Sequence, residues 1–233
     1  MTEAVFRSDV TVELIQSMGT DESVVRAARV STGTFEGWDS AKDPGLINYL
    51  MRDRHGSPFE HNAFTFYVEA PIFVFREFMR HRIASYNEES GRYKELSPVF
   101  YVPGEDRKLK QIGKPGAYTF VDGDYSQKVQ VPAEMKRVYS ESYKAYSRML
   151  EMGVAREVAR AVLPVSIYSS MYVTMNARSM MNFLSLRTTR EGTHFPSFPQ
   201  REIEMVAEKM EEFFAEKMPI TYETFNKNGR VSP

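Results

Sequence analysis

Cysteine is absent from all 233 residues of this chain. Its absence excludes disulfide bonds, zinc sites built from thiolates, iron–sulfur clusters and catalysis by a cysteine nucleophile. The side chains left to carry chemistry are carboxylates, imidazoles, hydroxyls, amides, amines and guanidinium groups. A functional site in this chain must therefore be built from clusters of these groups.

The chain also lacks a long hydrophobic run and a large excess of charge. No stretch approaches the roughly 18 apolar residues that a membrane-spanning helix needs. Residues 1–7 lack the pattern of a signal peptide, so we expect a cytoplasmic protein with no membrane partner. The formal net charge is −1, whereas proteins that bind a phosphate backbone usually show a basic excess. Arginine clusters here therefore predict a site for a small anion and no nucleic-acid partner.

Apolar side chains make up 42% of the sequence, which is enough for one core and predicts a single domain over residues 1–233. Strand-like and helix-like patterns mix without a regular βαβ rhythm, which predicts an α+β fold with a mixed or antiparallel sheet flanked by helices. Residues 103–131 are punctuated by glycine and proline and predict a long loop excursion. The patterns predict strands over residues 10–15, 63–70 and 167–175, and helices over residues 21–30, 43–54, 71–79, 132–152, 154–163, 177–188 and 199–214.

The densest polar stretch is residues 80–93, RHRIASYNEESGRY, which directly follows the apolar run over residues 71–79. A run of that kind docks against a core and holds the residues after it in a fixed place. Guanidinium, imidazole, hydroxyl and carboxylate groups gathered together suit an anionic ligand with several polar groups. Arg80, His81 and Arg82 alone are more typical of a surface ion pair at a helix end. The polar groups that follow them favour the ligand site.

Residues 55–61, HGSPFEH, contain two histidines and a glutamate but lack the helical histidine pair of a zinc protease. Gly56 and Pro58 indicate a loop, so we expect no metal site. From the residues alone, the main interpretation is a structural turn in which Glu60 accepts hydrogen bonds from main-chain amides.

Two further helical segments contain arginines that could serve a site. Arg156 and Arg160 share the polar face of a short helix, which on its own is typical of a solvated face with an ion pair. In residues 176–187 the apolar stripe continues at Arg187, where the pattern needs an apolar side chain. A partly desolvated arginine needs an anionic or carbonyl partner, unless the helix frays after Leu186.

Together these segments resemble the flavin-dependent thymidylate synthases. The signature of that family is Arg-His-Arg, seven residues and Ser, and here it stands as residues 80–82 and Ser90, followed by Arg92 and Tyr93. Arg-His-Arg alone is a weak signal, whereas the long form RHRxxSxNExSxRY is specific. The resemblance includes residues 58–61, residues 160–164, Asn176, Arg178 and Arg187, and covers roughly residues 45–100 and 150–215, leaving residues 103–131 outside it.

The resemblance implies reductive methylation of dUMP to dTMP. In that reaction 5,10-methylenetetrahydrofolate supplies a methylene group, and FAD reduced by NADPH supplies the hydride. The family uses no cysteine nucleophile, in agreement with this cysteine-free chain. The implied partners are dUMP, the folate, the nicotinamide cofactor and further copies of the chain, in a homotetramer whose sites are shared between subunits.

The resemblance also assigns residues to roles. It makes Arg187 catalytic, in contact with the uracil and favouring its N3-deprotonated form. The implied dUMP contacts are Glu77, Arg80, Glu88, Glu89, Ser90, Gly91, Arg92, Arg160 and Arg187, with Ser90 as a phosphate ligand. The implied FAD contacts are Ser57, Arg80, His81, Arg82, Glu88, Asn176, Arg178 and Asn182, with His55 and Glu60 as neighbours of the flavin. Glu77 stands where many relatives have glutamine, and Glu191, where some have histidine, receives no role.

Two other classes of function compete with the enzyme. A non-catalytic nucleotide or RNA binder would use Arg80, Arg82, Arg92 and Tyr93 for phosphate contacts and stacking, although the near-zero net charge argues against it. A scaffold protein would use the motif only for structure. Purified protein that stays colourless with FAD would favour the binder, and failure to bind any nucleotide would favour the scaffold.

Overall fold

The computed structural model describes residues 3–33, 35–114 and 117–233, and shows the predicted α+β fold. The strands are β1 (Val5–Arg7), β2 (Thr11–Met18), β3 (Ala63–Pro71), β4 (Ser85–Glu88), β5 (Val99–Tyr101), β6 (Lys110–Lys114), β7 (Ala117–Val121) and β8 (Tyr168–Met175). The helices are α1 (Asp21–Arg29), α2 (Asp43–Arg52), α3 (Ile72–Phe78), α4 (Tyr125–Glu151), α5 (Arg156–Ala159), α6 (Ala177–Arg187), α7 (Arg201–Lys217) and α8 (Pro219–Lys227). Within the described ranges, no helix combines the length and apolar character needed to cross a membrane.

The chain divides into two compact units. The first contains the described residues up to Val10, Glu69–Glu77 and Glu88–Met171, and the second contains Thr11–Val68, Phe78–Asn87 and Tyr172–Pro233. The prediction of one domain over residues 1–233 stays a prediction.

The sheets are mixed. In the first unit β1 pairs with β5 in parallel, and β6 pairs with β7 as an antiparallel hairpin. A four-stranded sheet has the order β2-β3-β8-β4, and each of its strands has residues in the second unit. Along β3, Phe64, Phe66 and Val68 are fully buried, as their spacing of two residues predicts for one face of a strand.

Each unit has its own apolar core. In the second unit α7 presents one face at helical spacing, and its fully buried apolar residues are Ile203, Val206, Ala207, Met210 and Phe214. The ring of Phe214 meets that of Phe64 edge to face, with centroids 5.9 Å apart. In the first unit the core cluster contains Leu96, Phe100, Tyr143, Tyr146, Ala159 and Ile167. Burying each large apolar side chain stabilises the fold by about 1.5–3 kcal/mol.

The structure corrects the predicted loop over residues 103–131. The hairpin of β6 and β7 occupies its middle, and α4 begins at Tyr125. The helix begins there because Asp124 and Gln127 form a capping box, in which each side chain accepts a hydrogen bond from the other residue's main-chain N–H at 3.0 Å. Pro132, where the sequence predicts the start, lies inside the helix. Residues 115 and 116 of the predicted loop lie outside the described residues.

Two other helices differ from the sequence predictions. The helix predicted over residues 154–163 is the single turn of α5, which continues as a 3-10 helix, Arg160–Val162. The other helix, α8, has no counterpart among the helices that the sequence predicts. It begins at Pro219, a residue suited to the first turn because it has no N–H to leave unpaired.

Candidate functional site

A strongly basic cavity lies in the second unit. Its volume is about 560 Å³, and five arginines line it: Arg54, Arg80, Arg82, Arg178 and Arg187. Of the described residues that line it, Glu60 alone carries a carboxylate side chain. Clefts lined by charge of one sign focus the electric field and concentrate ligands of the opposite sign. This cavity, called the basic pocket below, is suited to an anion.

Three of these arginines have no internal counter-ion. Arg54, Arg80 and Arg82 are exposed, and none of them forms an ion pair with any residue that the structure describes. Arg54 also has a backbone φ of 65°, in the left-handed region that residues other than glycine seldom adopt. Unpaired guanidinium groups in one cavity repel each other, so a bound anion would relieve that repulsion.

Arg80, His81 and Arg82 lie in the connection between α3 and β4, called the RHR turn below. The Tyr86 hydroxyl donates to the main-chain oxygens of His81 at 2.6 Å and Phe78 at 3.1 Å. The Phe78 oxygen also accepts from the His81 main-chain N–H at 3.0 Å, so the Tyr86 hydroxyl adds a second connection across the turn and helps to fix it. Burial raises the pKa of Tyr86 to about 12, which keeps the hydroxyl protonated and able to donate.

Arg187 reaches the RHR turn from the last residue of α6. Its Nε donates to Nε2 of His81 at 3.1 Å. Burial, with the nearby charge of Arg187, lowers the pKa of His81 to about 4, so the imidazole is neutral at pH 7 and accepts this bond. The Phe183 ring contacts His81 edge-on, with centroids 4.9 Å apart, and stacks on Phe78 at 4.4 Å.

The helix that carries Arg187 is well defined at both ends. Asn176 caps it, because its side chain accepts from the Ser179 main-chain N–H at 2.9 Å. The apolar residues Phe183 and Leu184 are fully buried, as their spacing predicts. The helix continues through Arg187, so the alternative in which it frays after Leu186 is wrong.

Arg178, in the first turn of the same helix, is held by the residues around it. Its Nη1 lies 2.5 Å from Oε1 of Glu60, and its Nε donates to the main-chain oxygen of Pro233 at 2.6 Å. Glu60 is therefore the counter-ion of Arg178. The interpretation of Glu60 as a carboxylate bonded to main-chain amides of a structural turn is wrong.

A second group of predicted residues lies in the first unit, and is called the first-unit cluster below. It contains Glu88, Glu89, Ser90, Gly91, Arg92 and Arg160. A Cβ atom on Gly91 would lie 3.2 Å from Cδ of Arg160, so the backbone and this arginine are in close contact. Arg92 pairs with Glu157 at 3.0 Å, whereas Arg160 forms no ion pair with the described residues. The sequence predicts an ion pair within the helical face of Arg156 and Arg160. In the structure the ion pair of this region joins Glu157 to Arg92 instead.

The carboxylates of the first-unit cluster are partly buried. Burial raises the pKa of Glu88 and the neighbouring Glu89 adds to the rise, against a hydrogen bond from Ser169 and the charge of Arg160. The Ser169 hydroxyl donates to Oε1 of Glu88 at 2.9 Å. Lys94 pairs with Glu89 at 2.7 Å. The first-unit cluster therefore combines a half-buried carboxylate with an arginine available to an anion.

The structure brings part of the predicted site together. Of the residues assigned to FAD, those that line the basic pocket are Arg80, His81, Arg82, Arg178 and Asn182. Ser57, Glu88 and Asn176 are not among the described residues that line it. Glu77 lies in α3, in the first unit. The roles assigned to Ser57, Glu77, Glu88 and Asn176 stay predictions.

Sequence reasoning missed six of the described residues that line the basic pocket: Arg54, Ile83, Ser179, Leu186, Ser232 and Pro233. Arg54 has a left-handed backbone, and Pro233 contacts Arg178 across 55 positions of sequence. Neither feature produces a periodic pattern in the sequence from which it could be predicted. A metal site is not indicated by the part of the chain described, which holds no group of three or more possible ligands among His, Asp and Glu.

Comparison with known proteins defines the class. A family model described as thymidylate synthase complementing protein matches residues 13–220. The flavin-dependent thymidylate synthase of Streptomyces avermitilis is 63% identical over 234 residues, covering 98% of this chain and 95% of that protein. The enzyme of the same name from Tropheryma whipplei is 57% identical over 235 residues, covering 99% and 98%. The chain belongs to the flavin-dependent thymidylate synthases, which confirms the resemblance.

A solved structure agrees with this placement. The UMP/dUMP methylase PolB from Streptomyces cacaoi, in a crystal structure bound with 5-Br UMP, superposes with a TM-score of 0.94 at 54% identity. The match covers the whole of both chains. The two proteins are therefore alike in both fold and sequence along their whole length.

We predict that Tyr86→Phe weakens flavin binding. The ring still packs edge-on against Phe78, so the protein folds, but the RHR turn loses the donor that fixes it. One lost hydrogen bond predicts a rise of about fivefold in the dissociation constant. Flavin fluorescence titration measures it. Tyr125→Phe, at a tyrosine that is 85% exposed, is the control. Equal affinity in both variants would contradict the role of Tyr86.

Proposed function

We propose that this chain catalyses the reductive methylation of dUMP to dTMP, with FAD bound in the basic pocket. The methylene donor is 5,10-methylenetetrahydrofolate, the reductant is NADPH, and the working assembly is a homotetramer with sites shared between subunits. The observation that carries the proposal is one cavity holding the unpaired Arg80 and Arg82 together with the Arg187–His81 hydrogen bond. Family membership favours this enzyme over the binder and the scaffold.

The residues of the basic pocket fit FAD. The cofactor carries a pyrophosphate, and the described lining offers five arginines against one carboxylate. A cavity of about 560 Å³ is in the usual range for a small-molecule site. The residues proposed to hold FAD are Ser57, Arg80, His81, Arg82, Glu88, Asn176, Arg178 and Asn182. When bound and reduced, FAD supplies the hydride.

Arg187 is proposed as the catalytic residue. Its guanidinium is half-buried, and the neutral His81 holds it by accepting its Nε–H without cancelling its charge. Beside the uracil, such a cation stabilises the negative charge left when N3 loses its proton. A preorganised donor in a site that excludes water contributes about 3 kcal/mol.

The first-unit cluster, with Glu77, Arg80 and Arg187, is proposed to bind dUMP. Ser90, Gly91, Arg92 and Arg160 hold the phosphate, and Glu88 and Glu89 offer carboxylate oxygens. The Ser90 hydroxyl accepts a bond of 3.3 Å from the Arg92 main-chain N–H. This serine therefore acts as a phosphate ligand, because a nucleophile would need a general base as its partner.

UMP is a second candidate substrate. The observation that favours it is the 54% identity to a protein described as a UMP/dUMP methylase, over the whole chain. The two substrates differ only at the 2′-hydroxyl of the ribose, so one assay with both nucleotides compares them directly.

The test of the function is anaerobic mixing of the protein with FAD, NADPH, dUMP and 5,10-methylenetetrahydrofolate. We expect loss of the oxidised flavin absorbance followed by formation of dTMP. Replacing dUMP by UMP shows whether the ribonucleotide is methylated as well. Flavin reduction with no methylated pyrimidine from either nucleotide would contradict the proposed function.

We predict that Arg187→Ala lowers dTMP formation by about 100-fold or more while FAD stays bound. The cofactor is retained because the other arginines of the basic pocket remain. Bound flavin absorbance and dTMP yield are measured together. Arg137→Ala, at an exposed arginine of α4 paired with Glu134, is the control. Turnover at the unmodified rate would exclude Arg187 as the catalytic residue.

We predict that Ser90→Ala keeps partial activity and raises the KM for dUMP. Losing one phosphate ligand of this kind predicts a change of about fivefold. Steady-state kinetics at varied dUMP measure KM and kcat separately. A covalent nucleotide adduct on Ser90, detected by mass spectrometry of the unmodified protein, would show that this serine is a nucleophile.

A further inference from the structure

Residues near the C-terminal end also line the basic pocket. Ser232 and Pro233 are among its lining residues, and both follow residue 220, where the match to the family model ends. Residues 229–233 are called the C-terminal segment below.

The C-terminal segment holds Arg178 at two points. The main-chain oxygen of Pro233 accepts from Nε of the guanidinium at 2.6 Å, and the Ser232 hydroxyl donates to the Arg178 main-chain oxygen at 2.9 Å. Glu60 binds Nη1 at 2.5 Å. The Nη2 group has no hydrogen-bond partner among the described residues, so it is available to a ligand.

The packing of Gly56 against Arg178 and Pro233 is tight. A Cβ atom on Gly56 would lie 2.5 Å from Cζ of Arg178 and 2.8 Å from the Pro233 oxygen. Real Cβ atoms do not approach other atoms so closely, so only glycine leaves room for this guanidinium. Gly56 and Pro233 therefore both lie close against the Arg178 guanidinium.

Arg230 anchors the C-terminal segment in the interior of the second unit. The residue is 3% exposed, its Nη1 lies 2.7 Å from Oε1 of Glu211, and its Nη2 donates to Oγ1 of Thr188 at 2.9 Å. Its guanidinium also lies over the Phe225 ring, 4.9 Å from the centroid. The backbone at Arg230 has a φ of 57°, a strained conformation that persists where surrounding contacts hold it.

We propose that the C-terminal segment, anchored by Arg230, is a positioning element of the basic pocket. It holds the Arg178 guanidinium in place before the ligand binds. Nη2 can then contact an anionic group of the ligand without the loss of side-chain entropy that a mobile arginine would incur on binding. The inference rests on the proposed function, in which FAD is the ligand of this pocket. Arg230 and Ser232 act through Arg178 and are positioning residues.

The test compares FAD binding to full-length variants. We expect Ser232→Ala to raise the dissociation constant about fivefold, Ser232→Thr to restore it, and Arg230→Met to raise it about tenfold or more. Ser140→Ala removes a matched bond from a serine hydroxyl to a main-chain oxygen in α4, and Arg201→Met removes the ion pairs of a more exposed arginine with Glu204 and Glu208 in α7. Both controls are expected to bind FAD like the unmodified chain.

A double-mutant comparison with Arg178→Ala distinguishes a positioning role of Ser232 from general destabilisation of the protein. In an Arg178→Ala background, Ser232→Ala is expected to add no further loss of FAD affinity, because the group that it orients is gone. Glu211 keeps its partners Arg190 and Tyr222 in Arg230→Met, which favours folding of that variant. If Arg230→Met fails to fold, the Ser232 variants still decide the question.

Two results would overturn the inference. A folded Ser232→Ala variant with unchanged FAD affinity would exclude positioning by the C-terminal segment and leave the proposed function standing. Failure of the unmodified chain to bind FAD at all would overturn the assignment of this pocket, and the inference with it.

Discussion

The basic pocket depends on positive charge that its own unit does not neutralise. Five arginines line the cavity, and in the described part of the chain three of them have no ion pair. Bringing like charges together costs free energy, and packing elsewhere in the unit must offset that cost. A bound anion would lower that cost. A fold that tolerates it is therefore specialised for a phosphorylated or otherwise anionic ligand.

Buried apolar contacts hold that charge in place. Phe183 of α6 stacks on Phe78 at the end of α3, so the helix carrying Arg187 and the turn carrying Arg80 are fixed to each other. Tyr86 then binds the main-chain oxygens of the turn. Arginines on a flexible loop would lose backbone freedom on binding, whereas packing has already fixed the backbone that carries these arginines.

Much of this site could be predicted from the sequence because its signals are local. The helical stripe ending at Arg187 and the motif from Arg80 to Tyr93 are both visible in single segments, and the structure places Arg80, Arg82 and Arg187 around one cavity. The alternation of Phe64 and Phe66 predicts strand β3 in the same local way.

The features that escaped prediction depend on contacts between distant segments or on a backbone conformation. Arg54 enters the pocket from a left-handed residue, and Pro233 reaches Arg178 across 55 positions of sequence. The sequence pattern misplaces the start of α4 at Pro132, because a proline is typical of a first helical turn, whereas here it lies inside a long helix. In that segment the capping box of Asp124 and Gln127 decides where the helix begins.

The choice of histidine as the partner of Arg187 has an electrostatic consequence. A carboxylate in that place would also orient the guanidinium, but it would add a negative charge beside it. A neutral imidazole accepts the Nε–H at 3.1 Å and adds no charge of its own. Because burial, and to a lesser extent Arg187, lower the pKa of His81 to about 4, the imidazole is neutral at pH 7. The cation thus adds to the effect of burial in keeping neutral the group that orients it.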